Sequence, residues 1–182
     1  LSTCTNLTVA APLAENAKCS FQGVKQNGTF EILPEKARQM LAMPTNPNGQ
    51  PNSRVIKKFC GNDDVSMRDQ DGWIVDFTDF KDLDSASLFE APFESIRHVE
   101  QERTRRTKGE TTEVGKLAEF WLMQRPRQEL RSAIVGLHRV LAVPETSEHF
   151  IFRWLPSSAV FSGSLFVFSR SDNFFFGICQ SR

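Results

Sequence analysis

Two arginine-rich segments of this 182-residue chain stand out for side chains that could meet a polyanion. The first is Arg103, Arg105, Arg106 and Lys108, set among threonines. The second is Arg125, Arg127 and Arg131. A guanidinium presents a planar fork of donors that fits two phosphate oxygens, or the O6 and N7 acceptors of guanine. Phosphate contacts would place such a chain on a duplex, and base-edge contacts would choose the sequence. Gln22 and Asn27 lie at a predicted hairpin, and their amides have the donor and acceptor pattern that reads a base edge. Residue types alone leave a plainer alternative open, a solvated surface with ion pairs such as Arg125 with Glu129 and ordinary turn residues at 22 and 27.

Patterns for bond-breaking chemistry are missing from the same sequence. No glycine-rich loop follows a predicted strand to hold a sulfonium cofactor. The nearest string to the Asn/Asp-Pro-Pro-aromatic motif of adenine methylation is Asn46-Pro47-Asn48-Gly49, which lacks the second proline and the aromatic, so it reads as a loop turn. No Glu-x-Lys triplet marks a metal-dependent nuclease. The carboxylates between Asp63 and Glu94 read as a solvated face. The three histidines, His98, His138 and His149, suggest no triad beyond chance. The four cysteines, at 4, 19, 60 and 179, have no metal-knuckle spacing and read as scattered free thiols. These readings make the chain a non-enzyme with no metal or cofactor of its own.

Composition sets the frame for those side chains. Hydrophobic content of 40% suits one globular domain with a real core, and 16 phenylalanines against no tyrosine give that core an apolar aromatic character. The net charge is zero, which argues against indiscriminate binding to nucleic acid. The charge is nevertheless segregated: 62–94 is acidic, whereas 1–61 and 95–132 lean basic. No apolar run reaches the roughly 20 residues of a membrane span. The start has neither a basic region nor a long apolar one, so it does not read as a signal peptide, and the Asn-x-Thr sequons at Asn6 and Asn27 carry no weight. With no initiator methionine, the chain reads as one that begins inside a larger, cytoplasmic protein.

The elements that must position these residues form an α+β pattern. Cys19 to Lys25 and Thr29 to Leu33 are expected as an N-terminal β-hairpin around Asn27-Gly28. Pro34 opens a helix to about Met43. A strand or helical turn is expected over Arg54–Cys60, and a strand over Trp73–Phe77. Helical spacing of Phe89, Phe93, Ile96 and Val99 is interrupted by Pro92, giving a kink or two abutting helices. An exposed loop is expected at 103–113 and a helix at Glu113–Met123. A helix from Pro126 carries Leu130, Ile134, Leu137 and Leu141 as its core stripe. Strands follow at Arg139–Val143, Phe150–Leu155 and Ser164–Ser169, then an apolar stretch from Asn173 to Gln180.

An ordered set of short strings runs through these elements. They are Ser20-Phe21-Gln22-Gly23, Asn27-Gly28-Thr29-Phe30, Asn46-Pro47-Asn48-Gly49 with Asn52-Ser53 and Val55, Gly61-Asn62-Asp63, and Trp73-Ile74-Val75-Asp76-Phe77. Next come Ala91-Pro92-Phe93-Glu94, Phe120-Trp121-Leu122, Arg125-Pro126-Arg127 with Leu130-Arg131, Gly136-Leu137 with Arg139, Val143-Pro144, and finally Phe174-Phe175-Phe176-Gly177 and Ser181-Arg182. In this order, over about residues 13–182, the chain resembles the target-recognition domain of MmeI-like type IIG/IIL restriction–modification enzymes, fused adenine-specific methyltransferases and endonucleases. The resemblance implies a linker at 1–18 from a preceding methyltransferase domain, a recognition domain at 19–172, and the start of a further extension at 173–182. It implies double-stranded DNA as partner, together with the methyltransferase domain of the same polypeptide, and no membrane. S-adenosylmethionine and magnesium are expected for the parent enzyme and not for this segment. The alternative is a docking module whose acidic stretch 62–94 meets another domain without touching DNA.

Overall fold

The computed structural model describes residues 17–106 and 119–181, with the backbone alone for 103–106. Lys108, nearly all of the expected linker 1–18 and the segment 107–118 lie outside the described residues.

Among the described residues, eight short strands form two four-stranded sheets. The first has the order β1-β8-β5-β6, with β1 at Ser20–Gln22, β8 at Leu165–Phe168, β5 at Arg139–Pro144 and β6 at Arg153–Pro156, antiparallel throughout. The second has the order β2-β4-β3-β7, with β2 at Glu31–Ile32, β4 at Trp73–Val75, β3 at Ile56–Cys60 and β7 at Val160–Phe161. Only β7 runs parallel to its neighbour, pairing Phe59 with Val160. Helices stand apart from these mostly antiparallel sheets, so the chain is an α+β protein, as its pattern indicates.

Two buried clusters form the core, and β3 and β7 contribute to both. Phe30, Ile74, Phe77, Phe89, Phe93, Ile96, Val99, Phe120 and Trp121 fill the first. Phe77 meets Phe89 and Phe93 edge-on at centroid distances of 6.1 and 5.9 Å, the geometry that phenyl quadrupoles favour. Leu130, Ile134, Val140, Ala142, Leu155, Phe161, Leu165 and Val167 fill the second. On β5 the alternate residue Leu141 is also fully buried. It lies level with Phe168 and Trp154 in the register, on the face covered by a helix at Asn173–Gln180. There Phe175 meets Phe168 and Phe176 meets Trp154, both at 5.5 Å. Burial on both faces explains why β5 reads as a continuous apolar run.

The helices follow local chemistry. Pro34 starts α1 (Pro34–Leu41), where its missing N–H costs nothing, and Ala37 and Met40 are buried. After α2 (Asn62–Ser66) come α3 (Leu83–Ser87) and then two abutting helices, α4 (Glu90–Ile96) and α5 (His98–Arg106), the second of the two arrangements expected around Pro92. Asp82 caps α3 by accepting from the Ser85 N–H at 2.7 Å. Pro92 sits in the first turn of α4, where it breaks no helical hydrogen bond. No helix among the described residues is long and apolar enough to cross a membrane.

Three expectations are corrected. The N-terminal hairpin does not form: β1 pairs with β8 and β2 with β4. Asn27 and Gly28 do turn the chain with positive φ, 55° and 143°, but the two arms leave for different sheets because their apolar faces belong to different cores. The loop expected from 103 is helical as far as Arg106. The helix expected from Pro126 is confined to Gln128–Ala133, called α6 here, and Leu141 belongs to β5. Its place in the helical stripe was a coincidence of period, since the backbone turns at Gly136.

Candidate nucleic-acid interface

One extended segment, residues 20–25, ties the two sheets together and carries the residues of interest. It leaves β8 through the Gly23 N–H, which donates to the Leu165 carbonyl at 3.0 Å. The Val24 N–H then donates to the Phe161 carbonyl at 2.7 Å, and Lys25 and Arg125 exchange both backbone hydrogen bonds, at 3.1 and 3.0 Å. Gly23 is where the segment passes the β7–β8 turn. A Cβ there would lie 2.0 Å from the Ser162 carbonyl oxygen, so only glycine fits.

Three of the sequence-named residues are spent on holding this crossing together. Gln22 donates to the Gly163 carbonyl at 3.0 Å and to Glu145 at 3.2 Å. Its carbonyl oxygen accepts from Arg127 Nη2 at 2.6 Å, and Arg127 Nε donates to the Gly23 carbonyl at 3.1 Å. Arg127 itself has a left-handed backbone, φ 55°, at the start of α6, a conformation its two bonds must help to hold. Arg131 Nη1 pairs with Asp76 Oδ2 at 2.7 Å, and its Nε donates to the Pro126 carbonyl. The Asp76 carboxylate is buried and also accepts from the N–H and hydroxyl of Thr78. These guanidiniums are part of the scaffold and are not offered to solvent as free forks.

Arg125 is different. It is exposed, its backbone alone makes the bridge to Lys25, and among the described residues its guanidinium has no ion pair or hydrogen bond. Lys25, which sequence reasoning did not single out, is exposed in the same way. Two residues further on, the turn at Asn27-Gly28 meets α5. The position a Gly28 Cβ would take is 2.6 Å from Val99 Cγ1, and the Thr29 N–H donates to Glu102 at 3.0 Å. The next turn of α5 carries Arg103, Arg105 and Arg106. The structure thus brings Arg125, Lys25, Asn27 and the basic end of α5 along one edge, from positions spread over a hundred residues.

Elsewhere the polar groups serve the fold. Asp71 takes Arg38, Lys58 and the Trp73 indole N–H, and the Lys58 hydrogen bond above all holds its carboxyl below the usual carboxylate range. Buried Asp64 accepts the N–H groups of Gly61 and Gln70 at 2.7 and 2.8 Å. Buried Asn52 donates to the Met40 carbonyl and accepts from Asn46, both at 2.8 Å, so the Asn46–Asn52 loop is a structural clasp. Much of the acidic stretch is therefore engaged in caps and pairs. A cleft of about 350 Å³ opens between α6 and β7, with Lys57, Asp79 and Arg131 among otherwise mainly apolar walls. Burial lowers the Lys57 ammonium, against the opposing pull of Asp76. Among the described residues no three of His, Cys, Asp and Glu gather as a metal-ligand set.

The chain was compared with known proteins. No family model matches it, and no curated protein matches it. Among solved structures it is similar to the type IIL restriction-modification enzyme MmeI in complex with DNA, with a TM-score of 0.62 and 16% sequence identity. The match covers 90% of this chain and 20% of that one, so this chain spans about a fifth of the length of that enzyme. At this identity the likeness is one of fold.

Proposed function

We propose that this chain is the DNA sequence-recognition module of a bacterial restriction–modification enzyme, which binds duplex DNA and sets the target sequence. The observation that carries the reading is the fold match, over 90% of the chain, to an enzyme solved on DNA. The exposed cations Lys25 and Arg125, beside the arginine-bearing segment of α5, support it, because a chain of zero net charge needs a local concentration of cations to hold phosphate. In this reading Arg125, the α5 arginines Arg103, Arg105 and Arg106, and Lys108 supply phosphate or base contacts, and Asn27 lies within reach of base edges in the major groove. Gln22, Arg127 and Arg131 position that edge. Adenine-N6 methylation, and cleavage where it occurs, belong to other parts of a cytoplasmic parent polypeptide. S-adenosylmethionine and magnesium serve there, and its methyltransferase domain clamps the far side of the duplex.

A second reading draws support from one observation. Phe150, Phe174 and Ile178 are exposed around the helix Asn173–Gln180, called α7 here, and such an apolar surface suits docking onto another domain. In this reading the module docks onto that domain without direct contact to DNA.

Fluorescence anisotropy with a random-sequence duplex tests the proposal. The expected result is binding that weakens steeply between about 50 and 200 mM salt, as counterion release requires. Absence of binding by the folded chain at low salt, with binding of another protein domain through α7, would favour the docking reading instead.

A further inference from the structure

Resting on the DNA-recognition reading, we infer that Lys25 and Arg125 form a two-cation clamp for a single backbone phosphate of duplex DNA. The bridge between them is a hydrogen-bonded antiparallel pair, with both N–H to carbonyl bonds made at 3.0 and 3.1 Å. Directly opposed residues of such a pair stand about 5.5 Å apart at Cα and send their side chains to the same face. Two positive side chains therefore rise together from one ribbon. Like charges in directly opposed positions repel, and normally a carboxylate nearby relieves them. None does so here: both residues are exposed and neither has an ion pair or a side-chain hydrogen bond among the described residues. Glu31, across the Asn27-Gly28 turn, accepts from the Gln26 amide at 3.0 Å.

A phosphate seated between the two heads removes the repulsion and accepts charge-assisted bonds from both, an ammonium on one side and a guanidinium fork on the other. The site is also stiff where it needs to be. Val24 is buried and bonded to Phe161, and Gln124 donates to the Gln26 carbonyl at 3.2 Å, so the ribbon cannot twist away when it is loaded. Two residues beyond the clamp, the Asn27-Gly28 turn packs against α5 at Val99, and the Thr29 N–H donates to Glu102.

The test measures duplex affinity against salt for the wild-type chain, Lys25→Gln, Arg125→Gln and the double variant. Thermal unfolding monitors folding in parallel. The clamp predicts that either single change and the double change all lower the salt slope by about one phosphate contact and weaken binding roughly tenfold at low salt, for every DNA sequence alike. The double variant should be little worse than the singles, because one phosphate is lost once. Melting temperatures of the glutamine variants should stay at the wild-type value. Wild-type binding with an unchanged slope in the double variant overturns the clamp and leaves the recognition reading standing. A folded wild-type chain that binds no duplex at low salt overturns both.

Discussion

Arg131 in α6 reaches Asp76 just after β4, Nη1 to Oδ2, at 2.7 Å, with 3% of the carboxylate side chain and 28% of the arginine side chain exposed. One pair thus pins the helix of the second core to the strand of the first. A buried pair contributes little net stability over apolar residues of the same shape, but an unpaired survivor is costly. Arg131→Ala and Asp76→Ala should each lose about 3 kcal/mol in denaturant unfolding, scaled to the low end because the arginine is part-exposed. The double variant should lose clearly less than the sum. Additive losses would show that the pair does not couple.

Gly23 should tolerate nothing larger. With the Ser162 carbonyl oxygen 2.0 Å from where a Cβ would stand, the segment 20–25 or the β7–β8 turn must move. Gly23→Ala is therefore expected to lower the unfolding free energy by more than the roughly 1 kcal/mol of an average substitution. A melting temperature equal to wild type would contradict the close crossing.

The thiols should differ in reactivity. Burial pushes the Cys60 thiol up to about 12, with the carboxylates of Asp64 and Asp69 adding to the effect. Thiolate is the reactive form, so at about pH 8 Cys60 should resist iodoacetamide until the chain unfolds. Cys19 and Cys179 are only half-buried and should be labelled first, as peptide mass mapping will show. Equal labelling of all three in the folded chain would contradict the packing around β3.

Acid should destabilise the fold through identifiable carboxylates. Asp71 is held below its ordinary value chiefly by the Lys58 hydrogen bond, Asp172 chiefly by Arg170 and Asp82 by the Ser85 N–H. A carboxyl depressed in the folded state stabilises above its unfolded value, about 3.9, and that stability is lost as pH falls through the folded value. These three should contribute no pH dependence between about pH 5 and 7, and a declining limb below about pH 4. Asp71→Asn should shallow that limb in acid titrations of the melting temperature. An unaltered limb would remove Asp71 from the account.

Local chemistry made some elements readable and left others hidden. Pro34 at a helix start, the apolar run of β5, and the aromatic weight of the core could all be read from the sequence, because each rests on a residue's own geometry or on periodicity. Asn27-Gly28 also turns as its type demands. What failed was the assumption that a tight turn joins paired strands. The partner of Glu31 is Ile74 and that of Ser20 is Phe168, pairings set by burial in two separate cores. The site was legible only in part for the same reason. Arginine-rich spacing marks where cations are, but whether a guanidinium is free depends on partners far away: Asp76 for Arg131, Gln22 for Arg127. Lys25 gave no signal at all, since its significance lies in standing opposite Arg125 a hundred residues on.

Hydrogen exchange of the chain with and without a saturating random-sequence duplex at low salt tests the central claim most directly. The account predicts slowed exchange at residues 25–29, at Gln124 and Arg125, and along α5, with the face of α7 unchanged. Protection confined to α7, or none in any segment while the chain remains folded, would contradict it.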